Sequence, residues 1–162
     1  MNTLEQLRTL AAASLVAGEE AVAAVRVNYN GTVQPNAVAT NPAVGGIADA
    51  DAGGPDPDTL VAFPTAKQMA LLLTGGRVLA WSLGFSGKPK HFIGEVPLSA
   101  VREVHVGEIR FGPLVRVVMK SGATVDLEIL RHEDADGFVD HLRHLVDATA
   151  PPDDGPGTAD QP

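Results

Sequence analysis

The stretch Leu71–Leu83 reads LLLTGGRVLAWSL, two apolar runs meeting at a Gly-Gly pair. A phosphate loop would need GxxxxGK[ST] between a strand and a helix, and a dinucleotide loop would need GxGxxG opening a helix. Neither pattern is present, and a second strand-like run follows the glycines. Gly75-Gly76 is therefore expected to be a hairpin turn whose glycines supply the positive φ of a two-residue primed turn. Trp81, within the second run, is expected to fill core rather than serve as a platform, because a large aromatic fills a Val-rich sheet well.

Outward from this hairpin the chain continues in strands. Glu20–Asn28 places Val22, Val25 and Val27 in a β-compatible run ended by the turn signal Asn30-Gly31. Gln68–Thr74 and Arg77–Leu83 flank the glycines. Lys90–Val96 follows a Gly-Lys-Pro loop, and Ala100–Val106 follows Pro97. Leu114–Lys120 and Thr124–Leu130 flank Ser121-Gly122, a second hairpin candidate. In the last of these, Val125, Leu127 and Ile129 alternate with Thr124, Asp126 and Glu128, the mark of a half-buried antiparallel strand. In the strand before it, Val115, Val117 and Met119 face inward, with Arg116 and Lys120 toward water.

The period then changes. In Asp134–Thr149, Phe138, Leu142, Leu145 and Val146 share one helical face. Asp134 is the expected N-cap, Gly137 weakens the first turn, and Pro151-Pro152 stop the helix. A strongly bent sheet or partly open barrel offers one end to bury that stripe. The fold class is mainly β: a barrel of seven antiparallel strands capped by a C-terminal helix. A short amphipathic N-terminal helix within residues 1–18 precedes it, with Leu4, Leu7, Ala11 and Leu15 near one face.

Bulk properties narrow the function classes. The 162 residues suit one domain, spanning 19–149, with margin to spare. Gly31–Asp58 carries five Gly, four Pro, four Asp and no Lys or Arg, and is expected to be a flexible insertion. The acidic tail 150–162 has the same character. The absence of cysteine excludes disulfides, zinc thiolates and a thiol nucleophile, and suits a cytoplasmic protein. The N-terminus lacks the basic start and uninterrupted apolar core of a secretory signal. Net charge is −8, distributed as −5 over residues 1–65, +4 over 66–131 and −7 over 132–162. Nucleic-acid binders carry a strong basic excess, so that partner is not expected.

The texture resembles the bacterial pleckstrin-homology-like (PH-like) domains over about Glu19–Thr149. The residues that carry the likeness are LLLTGGRVLAW and the strand PLSAVREV at Pro97–Val104. The resemblance implies seven strands in two near-orthogonal sheets closed by a C-terminal helix, and a role in binding rather than chemistry. Relatives bind phosphoinositides, peptides or proteins. The phosphoinositide pattern places Lys and Arg around the first hairpin, whereas Asn28–Ala66 here contains neither.

The basic loop Gly84–His91 holds Phe85, Lys88, Lys90 and His91, and these are the candidate binding residues. An exposed aromatic beside two lysines suits an anionic membrane surface or an acidic partner. The simpler expectation is a solvated hairpin loop whose Phe85 folds back on the core. His132, His141 and His144, with Glu133, Asp134 and Asp136, prompt a metal hypothesis, but the spacing favours solvated side chains beside the helix stripe. No Ser lies in a GxSxG elbow, and Asp126 and Glu128 lie on an outward face. No catalytic residue, metal or cofactor is therefore expected. The expected role is recognition of a protein or peptide through a sheet edge or the groove beside the C-terminal helix. Peripheral membrane association through Gly84–His91 is the alternative.

Overall fold

A computed structural model describes residues 2–33, 57–109 and 112–149. Helix α1 (Thr3–Ala11) leads into seven strands: β1 (Ala21–Val33), β2 (Gln68–Thr74), β3 (Arg77–Leu83), β4 (Pro89–Pro97), β5 (Val101–Ile109), β6 (Gly112–Met119) and β7 (Thr124–Ile129). Helix α2 (Ala135–Thr149) closes the chain. Every pairing is antiparallel, in the order β4-β3-β2-β1-β7-β6-β5. The expected seven strands and closing helix are present, as one hydrogen-bonded sheet rather than two. Strand β1 is the reason. It pairs with β2 through Ala21–Asn28 and with β7 through Val27–Val33, so it belongs to both halves.

The Asn30-Gly31 pair does not end β1. Gly31 lies inside it at φ +126°, at a register shift against β7 between Tyr29 and Gly31. Bulge and turn glycines both exploit a backbone region that other residues rarely adopt, so the Asn30-Gly31 signal marks a bulge here rather than a turn. The strand therefore reaches Val33, and Pro57–Leu60 form a short 3-10 turn, which trims both ends of the expected 31–58 insertion. Residues 34–56 and the tail 150–162 lie outside the described residues.

Strand β2 is buried on both faces, which explains its unbroken apolar run. Met69, Leu71 and Leu73 join the main core, while Ala70 and Leu72 face a second, smaller cluster. Strand β3 divides likewise, with Val78 and Ala80 to the main core and Leu79 and Trp81 to the second. The second cluster is roofed by Leu7 and Ala11 of α1. Trp81 is thus core, as expected, and Phe92 packs edge-on against it at 5.4 Å between ring centroids. At about 1.5–3 kcal/mol per buried large apolar side chain, these few contacts suffice to hold a nine-residue helix that would not form alone.

A capping box starts α1: Asn2 Oδ1 accepts from the Glu5 amide at 2.8 Å, and the Glu5 carboxylate accepts from the Asn2 amide at 3.3 Å. The helix stops at Ala11, short of the expected residue 18. Beyond it the Ser14 carbonyl accepts from Arg77 Nη2 at 2.8 Å, and Gly18 turns the chain at φ +84°.

The inner face of the sheet and α2 share the main core. Helix α2 buries Phe138, Val139, Leu142 and Val146, with Leu145 only partly covered. Asp134 caps it as expected, its Oδ1 accepting from the Gly137 amide at 3.0 Å. Gly137 is explained by that cap: a Cβ there would lie 2.2 Å from Asp134 Oδ2.

The opening hairpin is present, but its glycines do not work as expected. Neither Gly75 nor Gly76 has positive φ. Thr74 shapes the turn instead, its Oγ1 accepting from the amides of Gly76 at 3.3 Å and Arg77 at 3.2 Å. The Gly76 carbonyl accepts from the Leu98 amide at 2.9 Å, tying the turn to the β4–β5 connection.

Candidate functional site

Among the described residues strand β5 is a sheet edge, bonded to β6 alone. After one shift between Val101 and Glu103, its register with β6 is unbroken to Ile109. The Val104 carbonyl accepts from Arg143 Nε of α2 at 3.2 Å, so it points away from β6. Main-chain N–H and C=O of one strand residue point the same way, and the pattern repeats every second residue. Val104 and Val106 thus turn their main-chain groups outward.

Helix α2 packs against this edge, and between them lies a groove of about 270 Å³. Val104 and Val146 contribute its apolar lining, and Arg102, Glu103, His105, Arg143 and Asp147 its polar lining. Glu103 and His105 are exposed and 3.1 Å apart. Val106 is 43% exposed, one of few large apolar side chains left to solvent. No local motif marks these residues. The only sequence signal is valine alternating with charge in VREVHV, Val101–Val106.

The opposite edge is β4, which carries the residues singled out from sequence. Its ladder with β3 breaks twice, between Ala80 and Trp81 and between Ser82 and Leu83. Phe85, Lys88, Lys90 and His91 are all exposed. Phe85 does not fold back on the core; its side chain is entirely in solvent, at 112% relative exposure. The loop closes tightly: the Gly84 amide donates to Lys88 O at 2.8 Å and the Gly87 amide to Gly84 O at 2.9 Å. The Lys90 stem lies over Gly84. Phe85 and Lys88 therefore share one loop, with Lys90 and His91 at the start of β4, where the register with β3 shifts past Lys90.

A third cleft, of about 460 Å³, lies between α1, β1 and the start of α2. Arg26 and Glu133 pair there at 2.6 Å, and Thr3 donates to the same Glu133 oxygen at 2.9 Å. His132 and His141 line it. Among the described residues no three His, Cys, Asp or Glu side chains are placed to hold a metal ion.

The strongest electrostatic perturbation lies away from all three surfaces. Glu19 is lowered to about 2, chiefly by hydrogen bonds from Arg77 that outweigh the cost of its burial. Arg77 is raised correspondingly, and it also pairs with Glu95. This network joins the α1–β1 link to β3 and β4, a structural staple. On the outer sheet face Arg116 is raised by its two hydrogen bonds to Asp126, at 2.8 and 3.0 Å. Among the described residues no helix is long and apolar enough to cross a membrane.

No family model and no curated protein matches the chain. Among solved structures, the hSac2 domain from human phosphoinositide phosphatase Sac2 is similar at 11% identity and a TM-score of 0.48, over 91% of this chain and 82% of that one.

Proposed function

We propose that this chain is a non-enzymatic, cytoplasmic binding module that takes a protein or peptide partner as an added strand on the free edge of β5, beside α2. One observation carries the reading: the outward Val104 carbonyl, which among the described residues accepts a hydrogen bond from Arg143. An extended segment would pair with the main-chain groups of Val104 and Val106 and set alternate side chains into the groove. Strand β4 is the poorer edge, because two register shifts and the exposed Lys90 blunt it. The test is to pan a displayed library of random peptides and measure binding to Val106→Pro. Proline removes an outward N–H while leaving the β5–β6 ladder intact. Loss of binding with retained fold supports the reading, and unchanged binding refutes it.

The full exposure of Phe85 favours a second reading, contact with an anionic membrane surface. Phe85 would enter the interface while Lys88 and Lys90 meet the headgroups, at about 1 kcal/mol per lysine. Flotation with phosphatidylserine vesicles tests it. Binding lost in Phe85→Ala and in Lys88→Glu/Lys90→Glu is expected, and no binding by the wild type removes this reading.

A further inference from the structure

We infer that a second copy of this chain is a partner for the β5 edge, the two strands pairing antiparallel about Val104. The inference rests on the β5-edge reading above and names one occupant. In a symmetric antiparallel pair centred on Val104, position 103 of one copy lies opposite position 105 of the other.

The sequence around Val104 suits this operation. Glu103 would face His105 of the second copy, and His105 would face its Glu103. Both side chains are about half exposed and already sit together in one strand at 3.1 Å. Pairing two copies would set four such groups in an alternating square on the outer face. Val104 itself turns its main-chain groups outward, so it would exchange a pair of main-chain bonds with its counterpart, and Arg143 would swing aside. The opposite edge, β4, is less suited to such pairing, since its ladder with β3 shifts register twice.

Sedimentation velocity on the full chain, from low to high micromolar concentration, tests the inference. A concentration-dependent dimer is expected for the wild type. His105→Glu alone places carboxylates opposite each other and should weaken the dimer about tenfold or more. The double variant Glu103→Lys/His105→Glu sets Lys against Glu in place of that repulsion and should return the dimer close to wild-type strength. Circular dichroism checks that each variant folds, and both positions are exposed enough to tolerate the change. A wild type that stays monomeric throughout, or a dimer insensitive to His105→Glu or not restored by the double change, overturns the inference. If such a protein still binds library peptides that Val106→Pro abolishes, self-pairing alone is wrong and the β5-edge reading stands.

Discussion

Arg77 grips Glu19 with two nitrogens: Nη2 donates to Oε1 at 2.7 Å and Nε to Oε2 at 2.8 Å. The same Glu19 oxygen that receives Nε also accepts from the Thr74 hydroxyl at 2.9 Å. The turn at the centre of LLLTGGRVLAWSL is thus built from side chains on both sides of the glycines and anchored to the entrance of β1.

Stability should follow this carboxylate in acid. Glu19 is depressed in the fold, from 4.5 to about 2. An acid depressed by folding contributes fully above its unfolded value and loses that contribution as pH falls toward its folded value. The loss should run from about pH 4.5 to pH 2 and amount to about 3 kcal/mol. Urea titrations over that range check it, with Glu19→Gln as control. The variant should be less stable at neutral pH and should lack this part of the acid slope.

The glycines of the opening turn should be replaceable. Gly75 and Gly76 lack positive φ, and a Cβ at either would touch nothing within 4 Å. Alanine at either should be neutral or stabilise by up to about 1 kcal/mol. Gly122, at φ +95° in the β6–β7 turn, should behave oppositely, losing about 1–2 kcal/mol on change to alanine. Thermal melts of the three variants compare them directly.

Leu7 is fully buried against the cluster that contains Trp81, the one tryptophan in the chain. Leu7→Ala should cost about 2–4 kcal/mol. It should also loosen α1, so the Trp81 emission should shift to the red before global unfolding in urea. A variant that unfolds in one step, with no early shift, would show α1 inseparable from the sheet.

Asp134 and Gly137 should be coupled. Asp134→Ala removes the cap and should cost about 1 kcal/mol. Gly137→Ala in that background should recover about 1 kcal/mol through helix propensity. In the wild type the new Cβ displaces the capping carboxylate, so Gly137→Ala should change stability little. A double-mutant cycle reads this non-additivity.

Much of this architecture is legible in the chain. Gln68–Thr74 and Arg77–Leu83 begin and end where the apolar runs on either side of the Gly-Gly pair place them, and Phe138 and Leu142 mark the buried face of α2. Local pattern suffices there because the period of the apolar residues matches the element that buries them. It fails where a residue has two physical uses. Gly31 serves a bulge as readily as a turn, and Thr74 replaces the glycines as shaper of the hairpin. The exposure of Phe85 depends on how tightly its loop closes, which composition does not encode. The β5–α2 groove joins Val104 to Arg143 across a long sequence separation, and no spacing rule reports such a meeting.

Amide hydrogen exchange with a bound library peptide tests the central claim most directly. Strand addition gives partners to the outward N–H groups of Val104 and Val106. Both should become protected, together with slower exchange along 102–107, while the Gly84–His91 loop stays unchanged. Protection confined to that loop or to α1, with Val104 and Val106 still exchanging freely, would contradict recognition at the β5 edge.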